Sequence, residues 1–252
     1  MGRAFVEKAA EDGFSVFALD ITDPDEKRDN VIGIKADVTD EDSLRKAFGV
    51  VSSHTDTIYA IVHFAGIYKL DSLVEIERDA FERIFRINVL GPFLVNRTFM
   101  PLLKKTSRIV MTTSELATLK PLPYTGLYAV TKAALDRYAF SLRMELQLLG
   151  IYVSVIRPGA VKTDMIDKST SELEAFCAKT KLYHTNAARF RKIVDSVESR
   201  SITPDKLADK VMKIVKIRKP RYAYSINRNF LLSLTRLCPE KLELYAVRKI
   251  LQ

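Results

Sequence analysis

Short apolar runs alternate with longer amphipathic segments along most of the chain, and this alternation constrains the fold more than any other feature of the sequence. Short runs rich in Val, Ile and Phe are typical of buried strands, whereas apolar residues three or four apart are typical of helices. A regular alternation of the two predicts a parallel sheet with helices on both faces, joined by right-handed crossovers. We therefore predict an α/β protein with a doubly wound parallel sheet.

The predicted elements follow one another without a linker or repeat. Strands are predicted over 14–19, 31–35, 57–66, 108–114, 151–159 and 221–226. Helices are predicted over 2–13, 41–51, 77–105, about two dozen residues ending at Gly150, and 204–217, with a bend at Gly91-Pro92. The stretch 160–203 is predicted to be polar and irregular, with short helices. One domain covering 1–252 fits this organisation best.

Composition limits the class of protein. Hydrophobic residues make up 47% of the 252 residues and charged residues 28%, which excludes a disordered or fibrous chain. The net charge is +9, but residues 206–252 hold 12 basic and 3 acidic residues, which leaves 28 of each sign before them. Because the basic charge belongs to the tail, we favour a solvated face there. Contact with a membrane surface or a partner is the alternative, and nucleic acid is disfavoured.

Cysteine, histidine and hydropathy patterns exclude further classes. Cys177 and Cys238 form no CxxC pair and three scattered histidines offer no zinc spacing, so we expect no metal site. No uncharged apolar run reaches the roughly 18 residues of a membrane-spanning helix. The sequence therefore predicts a cytoplasmic protein, at most peripheral to a membrane.

Tyr128 and Lys132 are the first residues that indicate chemistry. Four residues apart on a predicted helix, they share one face, where an ammonium would lower the pKa of the phenol and suit it for acid–base catalysis. The spacing alone is not specific, since Tyr245 and Lys249 repeat it in the basic tail, and we interpret that pair as surface. Ser114 ends a predicted strand, where ligands bind in open sheets, although it is equally explained as a helix-capping or loop serine.

A larger set of residues resembles the short-chain dehydrogenase/reductase family. The set consists of Asn88, Ser114, Tyr128, Lys132 and the run Pro158-Gly159-Ala-Val161-Lys-Thr163, in order and in register across 2–226. The resemblance implies a Rossmann-type domain that transfers a hydride between a nicotinamide cofactor and an alcohol or carbonyl carbon. It also implies a homodimer or homotetramer.

The resemblance assigns roles to these residues. It implies that Tyr128 is the acid–base, that Lys132 lowers its pKa and holds the nicotinamide ribose, that Ser114 orients the substrate oxygen, and that Asn88 holds a water linking Lys132 to solvent. The cofactor contacts that it implies come from Gly2, Asp37, Val38, Ala65, Gly66, Tyr128, Lys132, Pro158, Gly159, Val161 and Thr163. Without the family, Asn88 is explained as a helix-bend residue and Pro158-Gly159 as the end of a strand.

Asp20 predicts which cofactor is used. It closes the strand 14–19, at a separation from Gly2 that suits a carboxylate bound to the ribose 2′-hydroxyl. A carboxylate there would repel a 2′-phosphate, and no basic residue follows it before Lys27. We therefore expect NAD rather than NADP. The alternative is an aspartate of a strand-end turn.

Two departures from the family pattern stand out. His63-Phe64 replaces a usual pair of asparagines, and we interpret His63 as a hydrogen-bonded core histidine rather than a catalytic one. The chain also aligns with the family only from the last glycine of the TGxxxGxG turn. We expect the first strand and the other glycines to be encoded upstream, with Met1 internal. The alternative is an inactive, truncated relative that acts as an interaction or membrane-surface protein, paired through helices over 88–105 and 124–149.

The C-terminal part resembles the hydroxysteroid and retinol dehydrogenase-like branch, which implies a lipophilic alcohol or ketone such as a steroid or retinoid. The resemblance implies a substrate lid over about 160–203, with apolar residues Met165, Leu173, Phe176, Leu182, Tyr183 and Phe190, although a self-packed surface insertion is the alternative. We predict that the tail 229–252 covers the pocket. A membrane anchor that uses Phe230, Leu231, Leu232, Leu234 and Leu237 is the competing interpretation.

Overall fold

Two parallel sheets form the centre of the protein. The computed structural model describes residues 1–24, 28–198, 201–228 and 238–252, without the side chains of 164–171 and 193–198. In the first sheet β1 (Val16–Asp20) pairs with β2 (Val31–Lys35). The second sheet contains, in spatial order, β3 (Ile58–His63), β4 (Leu103–Thr112), β5 (Tyr152–Pro158) and β6 (Ala223–Ile226). All the pairings are parallel, as the alternation of elements predicts.

Helices connect and flank the strands. They are α1 (Gly2–Glu11), α2 (Glu41–His54), α3 (Arg78–Phe85), α4 (Gly91–Phe99), α5 (Gly126–Leu146), α6 (Asp164–Lys179), α7 (His184–Glu198), α8 (Pro204–Lys216) and α9 (Glu240–Leu251). Local chemistry fixes several ends. The Asp40 carboxylate accepts a hydrogen bond from Asp42 N at 2.9 Å and caps α2, and Pro204 opens α8. A left-handed Gly150 follows α5, as predicted.

Apolar side chains cover both faces of the sheets. On one face α1 and α8 pack together over β4 and β5, around Phe5, Val110, Ile156 and Val211. On the other face, α5 packs against β5 through Leu135 and Val153. This arrangement confirms the doubly wound α/β fold, and it brings the carboxyl ends of β3, β4 and β5 to one edge.

The prediction of one continuous helix over 77–105 is wrong, because the helix is interrupted in its interior and ends before residue 103. It is broken into α3, a π-helical turn (Arg86–Leu90), α4 and a 3-10 turn (Met100–Leu102), and residues 103–105 already belong to β4. The wide turn directly precedes Gly91-Pro92, where the proline ring cannot fit a regular helical ladder and has no N–H to donate. Gly91-Pro92 thus marks an interruption of the helix, which takes the form of a π-helical turn.

The stretch 160–203 contains helices, as predicted, but it is more regular than expected, because most of it lies in two longer helices, α6 and α7. Leu173, Phe176, Ala187 and Phe190 are all buried and line one face of this helix pair. Their partners come from elsewhere in the chain, which the local polarity of the sequence does not reveal.

Across the described ranges, the structure contains no helix with both the length and the apolar character needed to cross a bilayer.

Candidate active site

Ser114 and Tyr128 meet at the carboxyl edge of the second sheet. Ser114 follows β4 and caps a 3-10 turn, with its hydroxyl accepting from Leu116 N at 3.2 Å. Tyr128 lies in the first turn of α5, half-buried, and its phenol is near enough to the Ser114 hydroxyl for that hydroxyl to lower the pKa of the phenol. The strand end and the helix start thus bring together two residues that are 14 positions apart in sequence.

Lys132 lies one turn further along α5, on the same face as Tyr128. Its ammonium is 5.7 Å from the centroid of the Tyr128 ring and donates a hydrogen bond to Thr112 O at 3.0 Å. Among the described residues this carbonyl is its sole hydrogen-bond partner. The side chain is buried, and burial lowers the pKa of Lys132 to about 8.

Burial also governs the phenol. It raises the pKa of Tyr128 well above its ordinary value, and the nearby Tyr68 adds to the rise, while the hydrogen bond from Ser114 opposes it. The two tyrosine rings lie 4.9 Å apart between centroids. This direction is opposite to the one expected from Lys132 alone, because removing the phenolate from water outweighs the attraction of the ammonium. The structure therefore holds Tyr128 as a neutral phenol, a proton donor.

Asn88 ties the end of β3 to α5. It lies in the π-helical turn, fully buried, where its side-chain oxygen accepts from Ile67 N and its amide donates to Ile67 O, both at 2.9 Å. The amide also donates to the Thr131 hydroxyl at 3.1 Å. A Cβ added to Gly66 would come within 3.2 Å of the Asn88 oxygen and 3.4 Å of Lys132 Nζ. Gly66, beside Ala65, thus lets the backbone lie against both polar groups.

The loop after β5 approaches the same edge. A side chain on Gly159 would overlap the carbonyl oxygen of Asn227, so glycine is required there. Beyond Pro158 and Gly159, Val161 forms a parallel bridge with Ile202, and the Thr163 hydroxyl donates to Val161 O at 3.3 Å where α6 begins. The predicted segment is therefore a fixed backbone cradle beside Ser114.

Glu115 is a residue that the sequence interpretation missed. Its carboxylate is buried although it directly follows Ser114, and a Cβ on Gly159 would lie 3.1 Å from its Oε1. An acidic residue at the end of an apolar strand, next to a candidate catalytic serine, is the signal that could have identified it.

Asp20 and Asp37 lie at the ends of β1 and β2, respectively. Each carboxylate accepts hydrogen bonds from the backbone and hydroxyl of the threonine two residues on, at 3.0 to 3.1 Å for Asp20 and at 2.8 Å for Asp37. The register of the strands pairs Asp20 with Lys35, a basic neighbour that the linear sequence does not reveal.

The remaining predicted contacts border these carboxylates. Gly2 opens α1, and a Cβ there would lie 3.5 Å from the Phe64 side chain. Val38 contacts Gly91, where an added Cβ would come within 2.8 Å of its methyl group. The residues assigned to a cofactor thus divide between the first sheet and the edge that holds Tyr128.

His63 is buried at the end of β3, and the prediction of a core histidine is confirmed. Its Nε2 lies 2.8 Å from Asn96 Oδ1, and the Asn96 amide donates to the Tyr138 hydroxyl at 3.2 Å. Since Asn96 donates through its nitrogen, its oxygen accepts and His63 Nε2 carries the proton. Burial lowers the pKa of His63 to about 4, so the ring is neutral.

An apolar group beside Tyr128, which we call the lid cluster, joins α6, α7 and α9. Its buried members are Leu70, Leu173, Phe176, Ala187, Phe190 and Leu251, with Tyr68, Tyr124, Tyr183 and Val247 packed around them. Of the predicted lid residues, Leu182 is instead 66% exposed. The Met165 side chain and residues Phe230, Leu231, Leu232, Leu234 and Leu237 lie outside the described part of the structure.

Known proteins match this chain over much of its length. Residues 1–174 match the sequence profile of the family described as short chain dehydrogenase. A versicolorin reductase of Emericella nidulans is 33% identical over 136 residues, 54% of this chain and 52% of the relative, so the chain spans about half the length of that protein. Estradiol 17-beta-dehydrogenase 2 of Mus musculus is 29% identical over 94% of this chain and 68% of the relative.

Solved structures agree with the fold. A short-chain dehydrogenase/reductase from Burkholderia phymatum in complex with NAD has a TM-score of 0.76 at 23% identity, over 97% of this chain and 90% of that chain. A short-chain dehydrogenase from Burkholderia cenocepacia in complex with NADP has a TM-score of 0.73 at 19% identity, over 100% and 92%. The profile match, which covers more than half of the sequence, shows that this chain belongs to the short-chain dehydrogenase/reductase family.

Proposed function

We propose that this protein is an NAD(P)-dependent oxidoreductase that transfers a hydride between the cofactor and a secondary alcohol or ketone. The observation that carries the proposal is the placement of Tyr128 beside Ser114 at the carboxyl edge of the sheet, with the buried Lys132 ammonium 5.7 Å from its ring. A structural role alone does not account for a buried ammonium that has a single carbonyl partner among the described residues.

The residues present fit a nicotinamide cofactor at two places. Lys132 keeps two N–H groups beyond its bond to Thr112 O, enough to hold ribose hydroxyls. The segment of Gly159, Val161 and Thr163, at the carboxyl end of β5, offers backbone groups suited to a carboxamide. When bound, the nicotinamide ring supplies the chemistry of accepting or donating a hydride.

The roles proposed for the side chains follow from their protonation. In the reductive direction Tyr128 donates its proton to the substrate oxygen as the carbonyl carbon receives the hydride, and Ser114 holds that oxygen by a hydrogen bond. Lys132 stabilises the resulting phenolate. Asn88 positions the loop at Ile67 and the helix at Thr131, and so fixes the distance between them. The water-holding role of Asn88 is part of the same proposal.

We propose NAD as the preferred cofactor. Support comes from the Asp20 carboxylate, which Thr22 holds at the end of β1, where it would accept a ribose hydroxyl and repel a phosphate. Lys35 on the neighbouring strand weakens that repulsion, so the preference is expected to be moderate.

We propose that the substrate is lipophilic, of the size of a steroid or retinoid. Support comes from the lid cluster, which is apolar and reaches Tyr128 through the ring of Tyr68. The alternative function is that of an inactive relative acting through its surfaces. An apolar groove of about 570 Å³ favours it, lined by Phe81, Phe85, Val89, Leu90, Phe93 and Tyr138.

Isotope transfer tests the proposed reaction directly. The protein is incubated with NAD and secondary alcohols deuterated at the carbinol carbon, from short-chain to steroid-sized, and the cofactor is analysed by mass spectrometry. We expect deuterium in the reduced cofactor, with the fastest transfer from the lipophilic alcohols. Measurement of NADH binding by fluorescence accompanies it. Neither transfer nor cofactor binding would be obtained from an inactive interaction protein.

A further inference from the structure

The exposed part of α9, which we call its outward face and which covers more than half of the helix circumference, carries large apolar side chains interleaved with basic ones. Its exposed apolar residues, each 56% to 62% accessible, are Leu242, Leu244, Tyr245 and Ile250. Its exposed basic residues are Lys241, Arg248 and Lys249. Lys241, Tyr245 and Lys249 follow at four-residue intervals and so form one stripe along the helix.

The acidic side chains of α9, a helix described at every residue, face elsewhere. The Glu243 carboxylate accepts from Lys120 Nζ at 2.6 Å, and Glu240 also helps to raise the pKa of Lys120. Both carboxylates are therefore directed toward Lys120, in the loop before α5. Because Glu243 is paired with Lys120 and Glu240 acts on the same lysine, the basic residues give the rest of the outward face a net positive charge.

The inward face of α9 is fixed, which holds the outward face toward solvent. Leu251 is buried in the lid cluster, and the Asn186 amide of α7 donates to Leu251 O at 2.7 Å. Near this end of α9, Val74 is 70% exposed and Leu182 is 66% exposed. The Glu75 carboxylate joins these two segments by accepting from Leu182 N. Exposed apolar residues therefore continue from α9 onto the turn between α6 and α7.

We propose that the outward face of α9 docks onto the surface of an anionic lipid bilayer. In a membrane interface, apolar side chains lie at the acyl boundary and Lys and Arg contact anionic headgroups. The long basic side chains of α9 can reach those headgroups although they are interleaved with the apolar residues. A soluble acidic partner would neutralise the basic residues but leave four large apolar side chains in water. This docking would place the lid cluster next to the bilayer. A lipophilic substrate could then enter from the membrane, and only this consequence depends on the proposed substrate class.

Vesicle binding, measured without substrate or cofactor, tests the proposal separately from the activity. The full chain is sedimented with vesicles of phosphatidylcholine alone or mixed with phosphatidylserine, at low and high salt. We expect binding that requires phosphatidylserine and weakens as salt screens the charges. K241E/K249E should lower the partition coefficient by more than about tenfold. K210E/K213E on α8, with the same change in net charge, should lower it much less.

A second pair of double variants tests the contribution of the apolar side chains to vesicle binding. L242S/Y245S should weaken vesicle binding severalfold, whereas L148S/L149S, which replaces equally exposed side chains after α5, should not. Circular dichroism confirms that each variant is folded. Absence of binding at low salt, or equal loss in the α8 and α9 charge variants, would overturn the proposal. The proposal would also be overturned if the unmutated protein did not bind vesicles but self-associated in sedimentation velocity, and if L242S/Y245S abolished that self-association.

Discussion

Tyr128 and Tyr245 both precede a lysine by four residues, so this spacing alone does not identify the catalytic tyrosine. Tyr128 is half-buried beside Ser114 and the ring of Tyr68, whereas Tyr245 is 59% exposed on α9 with Lys249 5.9 Å from its ring. We predict that Tyr128→Phe lowers kcat about 10²- to 10⁴-fold because the proton donor is lost. Tyr245→Phe is the matched control and should keep its kcat. A folded Tyr128→Phe variant with near-normal kcat would contradict the assignment.

Asp20 carries the prediction about the cofactor. The protein should show a higher kcat/KM with NAD than with NADP, and Asp20→Ala should narrow the gap by relieving repulsion of the 2′-phosphate. Asp23→Ala, an exposed change in the same loop, should leave the ratio unchanged. Equal kcat/KM for the two cofactors in the unmutated protein would show that Asp20 does not determine the cofactor preference.

His63 predicts a dependence of stability on pH. Its pKa is about 4 in the folded protein and 6.5 when free, so between these values the unfolded state binds more protons. The neutral His63 ring contributes fully to the free energy of unfolding above pH 6.5. As the pH falls toward 4, the free energy of unfolding should decrease by on the order of 3 kcal/mol. His63→Asn should flatten this part of the curve of unfolding free energy against pH. The exposed His54→Asn should not, and an unchanged slope in His63→Asn would refute the explanation.

Ser114, Tyr128, Lys132 and Asn88 could be grouped from the sequence because their order and spacing resemble those of the short-chain dehydrogenase/reductase family. It could not give the direction of the Tyr128 pKa, which depends on burial and on Tyr68, 60 positions away in sequence. Glu115 and Lys35 were missed for the same reason. Their proximity to Gly159 and to Asp20 arises from the packing of the loop and from strand register.

At the scale of elements, the strands were predictable and the lid helices were not. Apolar runs such as β3 need no partner to be recognised, but α6 and α7 are mostly polar. Their buried stripe becomes visible only with its partners, Leu70 before α3 and Leu251 at the end of α9. The π-helical turn was likewise indicated only as a bend, because Gly91-Pro92 predicts a disruption but not its width.

The last helix gives the prediction at this scale. Leu251 is 6% exposed in the lid cluster and its neighbour Ile250 is 57% exposed. Leu251→Ser should open the cluster and raise KM for a lipophilic alcohol severalfold, with a smaller effect on kcat, because the apolar contact area decreases. Ile250→Ser is the matched control and should leave KM unchanged. Equal KM values in the two variants would show that α9 does not cover the pocket.

At the scale of the whole molecule, the exposed groove between α3, α4 and α5 predicts assembly with a second copy. Leu90 and Phe93 are 42% and 40% exposed, and Glu82 and Arg86 line the same groove one helical turn apart. An exposed apolar groove that also carries one acidic and one basic side chain can pack against its own copy about a two-fold axis.

We therefore predict a dimer or a larger assembly in solution, measured by light scattering after gel filtration. Phe93→Glu should shift the mass to that of a monomer, since a carboxylate would be buried against apolar residues of the partner copy. Val50→Glu places the same charge on α2 at a side chain that is 39% exposed, away from the groove, and should leave the mass unchanged. A folded Phe93→Glu protein that keeps the mass of the unmutated assembly would locate the contact elsewhere. A monomeric unmutated protein would exclude the assembly itself.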